Sequence, residues 1–133
     1  MQTLDAVMPE HGDVIIDERI IERYLGEWED MPYDQISDAL TESYIKGYYD
    51  PPKSETYTAV RKRVCNFVEE LFQKYSNTDR ILVVSHAGVI RQVRDNFLPN
   101  YDKSAIKNSS TLMIQIEDYE NYIQAKENEE QCK

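Results

Sequence analysis

The chain contains no apolar run approaching the roughly 18 residues that a membrane-crossing helix needs. Nor does its N-terminus carry a basic stretch followed by an apolar one. From these two absences we expect neither membrane insertion nor secretion, and a cytoplasmic protein. Cysteine is scarce as well. Cys65, in a predicted helix, and Cys132, near the C-terminus, give neither metal-ligand spacing nor a disulfide framework, so no metal is expected and both are read as reduced thiols without a catalytic part. Positive charge is short: 15 Lys and Arg face 25 Asp and Glu, a net charge of -10. A field of that sign repels a polyanion at long range and argues against nucleic acid as a partner. It does not argue against a small phosphorylated ligand, which a local cluster of donors captures. There is no internal repeat and no low-complexity tract. With 133 residues and 41% apolar content, the chain can bury one modest core, so a single domain is expected over residues 1–133, with a polar, frayed tail from about Lys126.

What is present alternates between two periodicities. Apolar residues at spacings of three and four predict the end of a helix over 3–7 and a helix over 33–45, with Tyr33, Ile36, Leu40 and Tyr44 on one side. The clearest helix is predicted over 54–75. There Tyr57, Val60, Val64, Phe67, Val68, Leu71, Phe72 and Tyr75 form the apolar stripe, Ser54 is the expected cap, and Pro51-Pro52 keeps the preceding segment out of the helix. Strands are predicted at 13–17, 80–85 and about 110–116. In the last, Leu112, Ile114 and Ile116 alternate with Thr111, Met113 and Gln115. A helix over 87–97 stops before Pro99. Strands alternating with helices predict an α/β sandwich with a largely parallel sheet, in which ligands bind outside the carboxyl ends of the strands.

The run Ile81-Leu82-Val83-Val84-Ser85-His86-Ala87-Gly88 carries the chemistry. It brings a small polar residue and a histidine to a turn, and a helix follows with apolar positions at 89, 90, 93 and 97. Unpaired N–H groups of a first helical turn and the positive end of the helix dipole favour a phosphate or carboxylate there. A histidine beside them can donate a hydrogen bond or a proton. The plainer alternative is a histidine satisfied by core partners.

This junction resembles the second half of the histidine phosphatase superfamily, also called phosphoglycerate mutase-like, in which an apolar strand ends in Ser-His-Gly-Gly or a close variant. Two further blocks agree in order and spacing. Asp17 to Glu29, with Glu22 followed by Gly26-Glu27-Trp28-Glu29, is similar to the family's strand, glutamate and Gly-x-Trp-Glu segment; Pro51 to Tyr57, running into Arg63, is similar to the Gly-Glu-Ser segment that opens the family's long helix. The resemblance covers about Asp17 to Leu112. It implies a three-layer α/β sandwich, a phosphomonoester substrate, and no cofactor. It also implies that His86 is the second histidine, donating to a phosphoryl oxygen, and that Glu22 is the general acid. Ala87 and Gly88 would present backbone N–H groups to the phosphate, and Tyr24 would line the substrate side. Against these stand plainer readings: a solvated carboxylate for Glu22, a packing role for Trp28, loop orientation or helix-dipole support for Glu55, and an exposed helix face for Arg91 and Arg94. Ala87 stands where the family often has glycine, and Asp30 where Trp-Glu-Gly is usual.

The family's nucleophile is a histidine in an Arg-His-Gly triplet that ends an N-terminal apolar strand. No such strand precedes a histidine here. His11 lies in Glu10-His11-Gly12, after a proline and no apolar run, and is read as an exposed loop residue. If Gln2-Thr3 correspond to the Gln-Thr of the family's Arg-Ala-x-Gln-Thr helix start, the phosphate-binding arginine also lies off the N-terminus. The sandwich is thus expected to lack its N-terminal central strand, which would expose two rows of unpaired backbone groups. Three functions remain open: a phosphatase incomplete as written, a non-catalytic remnant that binds phosphate or regulates, and a half-domain completed by another chain or by self-association through the exposed sheet edges. Within the family, Gly26-Glu27-Trp28-Glu29 is closer to the phosphatase branch than to the mutases.

Overall fold

The computed structural model describes residues 2–10, 12–46, 50–102, 106–107 and 109–131, with the side chains of these other than 40, 43–46 and 131. Its helices in chain order are α1 (Gln2–Val7), α2 (Tyr33–Lys46), α3 (Tyr57–Lys74), α4 (Ala87–Phe97) and α5 (Ile116–Gln131), with single 3-10 turns at Glu18–Ile20 and Gly26–Trp28.

The centre is α3. Its apolar stripe falls on one side, and Val60, Val64, Cys65, Phe67 and Val68 are buried. Thr56, not the expected Ser54, caps it: the Thr56 hydroxyl accepts from Ala59 N at 3.1 Å. α4 lays Val89 against Val60 and Val64, while Phe97 meets Cys65, Phe67 and Val68. Ile20, from the first 3-10 turn, and Val93 pack against both groups and join them into one core. α5 closes the far side through aromatic rings. Tyr119 stacks on Phe72 with centroids 4.7 Å apart, and Tyr122 lies 4.3 Å from Phe97. Glu69 ties α5 to α3 by accepting from the Tyr122 hydroxyl at 2.7 Å and from Lys126 Nζ at 3.1 Å.

This architecture overturns the expected three-layer α/β sandwich with a parallel sheet. Among the described residues there is no β-strand. Residues 13–17, 80–85 and 110–115 lack helical structure and form no ladder, and most of their apolar side chains stand in solvent: Ile15 and Ile16 are 74% and 84% exposed, Leu82 51%, Met113 73%, whereas Leu112 is half-buried and Ile114 packs against the core. The reason is that an apolar or alternating run becomes a strand only when a neighbour about 4.8 Å away accepts and donates its backbone hydrogen bonds. Periodicity supplies the faces and not the partner. Two further expectations are corrected at the C-terminus: Ile116 opens a helix instead of ending a strand, and α5 continues past Lys126 to Gln131 where a frayed tail was expected. In α2, Ile36 is buried but Tyr33 is 72% exposed, so the two do not share a packed side; Leu40 and Tyr44 lie outside the described side chains. His11 and Cys132 lie outside the described residues. No helix among the described residues is long and apolar enough to cross a membrane.

Candidate anion site at the start of α4

Residues 17–25 have no regular hydrogen-bond ladder, so side chains fix their path. Asp17 opens the 3-10 turn by accepting from Arg19 N at 2.9 Å, and its carboxylate clamps the Arg19 guanidinium at 2.6 to 3.2 Å. That guanidinium holds the Asp17 carboxyl below the usual aspartate range, and Asp17 together with Glu70 of α3 raises Arg19 further above its own. Two carbonyls of this turn are then taken by other elements. Arg63 of α3 donates to Arg19 O at 2.6 Å, and the Ser85 hydroxyl donates to Ile20 O at 2.6 Å.

Arg23 fixes the other side of Glu22. Its guanidinium is buried, donating to Glu55 O at 3.0 Å and to the Asp50 carboxylate at 2.6 Å. Glu55 N donates to Tyr24 O at 2.9 Å, and the Glu55 carboxylate takes two bonds from Arg63, at 2.6 and 3.0 Å. Arg63 thereby holds the Glu55 carboxyl below the usual glutamate range. Gly26 follows at φ +60°, a left-handed backbone that favours glycine; a Cβ there would come within 2.2 Å of Pro52 O, which accepts from Glu27 N. The turn and the Pro51–Glu55 loop can approach only because that position has no side chain.

Between these anchors Glu22 reaches α4. One carboxylate oxygen accepts from Arg23 N at 2.9 Å, and the other from Gly88 N at 3.3 Å, across 66 residues of sequence. His86 is the N-cap of α4, with extended backbone at φ -115° and ψ 161°, and its side chain makes no capping hydrogen bond. Its imidazole is exposed. The structure therefore brings Glu22 and Gly88 together, places His86 and Ala87 at the same helix start, and leaves Tyr24 57% exposed. Trp28 is half-buried. Arg94 departs from the exposed face expected for it: it is buried, and its guanidinium donates to Asp95 at 2.9 Å.

Sequence reasoning missed Arg23 and Ser85 as anchors of this corner. A signal for Arg23 existed, since extended backbone sends neighbouring side chains to opposite sides and Arg23 must turn inward if Glu22 turns outward. Ser85 had none, because its partner is a main-chain carbonyl far away in sequence.

A helix N-terminus, a histidine at its cap and a carboxylate delivered from a distant loop thus meet at one corner. The family model of the histidine phosphatase superfamily (branch 1) matches residues 1–129, and the chain belongs to that superfamily. No curated protein and no solved structure shows significant similarity to it.

Proposed function

We propose that this chain carries the acid and second-histidine corner of a phosphomonoester hydrolase that works through a phosphohistidine intermediate. The observation that carries the reading is the meeting of Glu22 with the Gly88 amide, two residues from His86, in a member of the histidine phosphatase superfamily. In this reading, phosphate oxygens take the first-turn N–H groups of α4 and a hydrogen bond from His86. Glu22 gives its proton to the leaving alcohol. The attacking imidazole is not encoded in an Arg-His-Gly triplet within these 133 residues, so it comes from a separate segment. The intermediate then forms on that imidazole and water hydrolyses it.

A second reading is favoured by the exposure of Ile81, Leu82, Val83 and Val84: a half-domain completed by another chain or by self-association along this segment. A phosphate-binding module without turnover is the remaining form. One assay separates them. The purified chain is given an aryl phosphate, alone and with a peptide carrying an apolar strand that ends in Arg-His-Gly. We expect no turnover alone and turnover with the peptide, accompanied by phosphohistidine on the peptide. Turnover by the unaided chain that disappears in His86→Ala and leaves no phosphohistidine would overturn the mechanism. Phosphate binding without turnover under either condition would leave the module.

A further inference from the structure

A helix of eleven residues begins with several N–H groups that no intrahelical carbonyl can reach. In α4 the Ile90 N–H is satisfied by His86 O at 2.9 Å, but His86 offers no side-chain cap to the amides before it. The cap comes from outside the helix, as the Glu22 carboxylate on Gly88 N. This contact has two consequences for a phosphate at the same place. A single N–H directed at one acceptor is not available to another, and a carboxylate in the seat repels a second anion.

We propose that Glu22 is the resident anion of the α4 N-terminus, occupying the Gly88 amide that a phosphoryl oxygen would take, so that the anion binds only as Glu22 releases it. The inference rests on the function proposed above and concerns the regulation of that same corner. The two bonds of the carboxylate are unequal. The one to Arg23 N, at 2.9 Å, has the ordinary length of an N–H to oxygen hydrogen bond, while the one to Gly88 N, at 3.3 Å, is long. Glu22 is an exposed residue, whereas Arg23 behind it is buried and held by Asp50 and Glu55. The side chain can therefore leave Gly88 and keep its bond to Arg23, while the backbone that carries it stays in place. Release of the weaker contact opens the seat and leaves the carboxyl group beside the newly bound anion.

The test is a titration of inorganic phosphate into the isotope-labelled chain at fixed pH and ionic strength, read at the Gly88 amide and the His86 ring. It compares wild type with Glu22→Gln, Glu22→Ala and Glu120→Gln. The last changes net charge equally at an exposed position on α5. Glu22→Ala, which removes the charge and frees the Gly88 amide, is expected to tighten phosphate binding about three- to tenfold, and Glu22→Gln, which removes the charge alone, about two- to fivefold. Glu120→Gln should match wild type. Glu22→Gln keeps the length and an acceptor oxygen, so it reports on charge even if the alanine variant disturbs the start of α4. Wild-type binding as tight as, or tighter than, that of both Glu22 variants would overturn the gate alone. No phosphate response in any of the four chains would overturn the phosphate corner itself, and the gate with it.

Discussion

Glu55 and Arg63 form the pair on which the candidate site leans. Glu55 uses every polar group it has within the loop: its N–H goes to Tyr24, its carbonyl to Arg23, and its carboxylate to both prongs of Arg63. Arg63 adds a bond to the Arg19 carbonyl, so one guanidinium spans both flanks of Glu22. Because Arg63 lowers the Glu55 carboxyl relative to the unfolded chain, this carboxyl stabilises the fold fully above the ordinary glutamate value near 4.5. That contribution fades as pH falls from there through the lowered native value. Asp17, lowered by Arg19, adds a loss of the same sign starting near 3.8. Urea unfolding of wild type between pH 6 and pH 3 should therefore show stability falling with acid. Glu55→Gln should flatten that fall and be less stable than wild type at pH 6; an unchanged slope would show that the pair does not report on folding. The sequence offered loop orientation as one of two readings of Glu55 and did not point to Arg23 or Ser85, each of which donates to a main-chain carbonyl. Side-chain identity says nothing about which carbonyl will lie in reach.

At the level of elements, α3, α4 and α5 form the well-packed part, and each was legible to a different degree. α3 and α4 carry their apolar residues at three- and four-residue spacing, which is a local property that folding preserves. α5 was missed because its core-packing residues are Tyr119 and Tyr122, set among ten acidic or amide-bearing residues on a polar helix, a stripe too thin to stand out as periodicity. It docks through rings, and Phe97 is where the docking concentrates. That residue is 2% exposed, closes the last turn of α4, touches the α3 core and meets Tyr122 at 4.3 Å. Phe97→Ala removes contacts of α4 to both α3 and α5 at once. The expected cost is about 3 to 5 kcal/mol, a large share of the stability of a domain with so small a core. Chemical denaturation followed by circular dichroism checks it: the midpoint should collapse, and amide exchange in α5 should accelerate more than in α3. A loss below about 1 kcal/mol would mean that α5 does not depend on this contact.

For the molecule as a whole, the segments read as strands are where local pattern and tertiary outcome part. Ile81 to Val84 is apolar at every position, the composition of a strand covered on both faces. All four residues are exposed, from 36% for Val84 to 51% for Leu82, and their backbone makes no main-chain hydrogen bond among the described residues. Val14, Ile15 and Ile16 repeat the situation. Exposed apolar extended backbone is a template for pairing with another chain, whatever chain that is. The net charge of -10 opposes association at long range but decays over a Debye length of about 8 Å in physiological salt, whereas backbone pairing acts at contact. The purified chain should therefore associate as its concentration rises into the range of about 10 to 100 µM, where exposed edges commonly do so. Leu82→Lys places a charge in the middle of the segment without touching α3, α4 or the Glu22 contact, and should shift sedimentation velocity profiles back towards monomer. If the lysine variant associates as strongly as wild type, pairing runs through some other surface; if wild type stays monomeric throughout that range, the exposed segment needs a different partner from a second copy of itself.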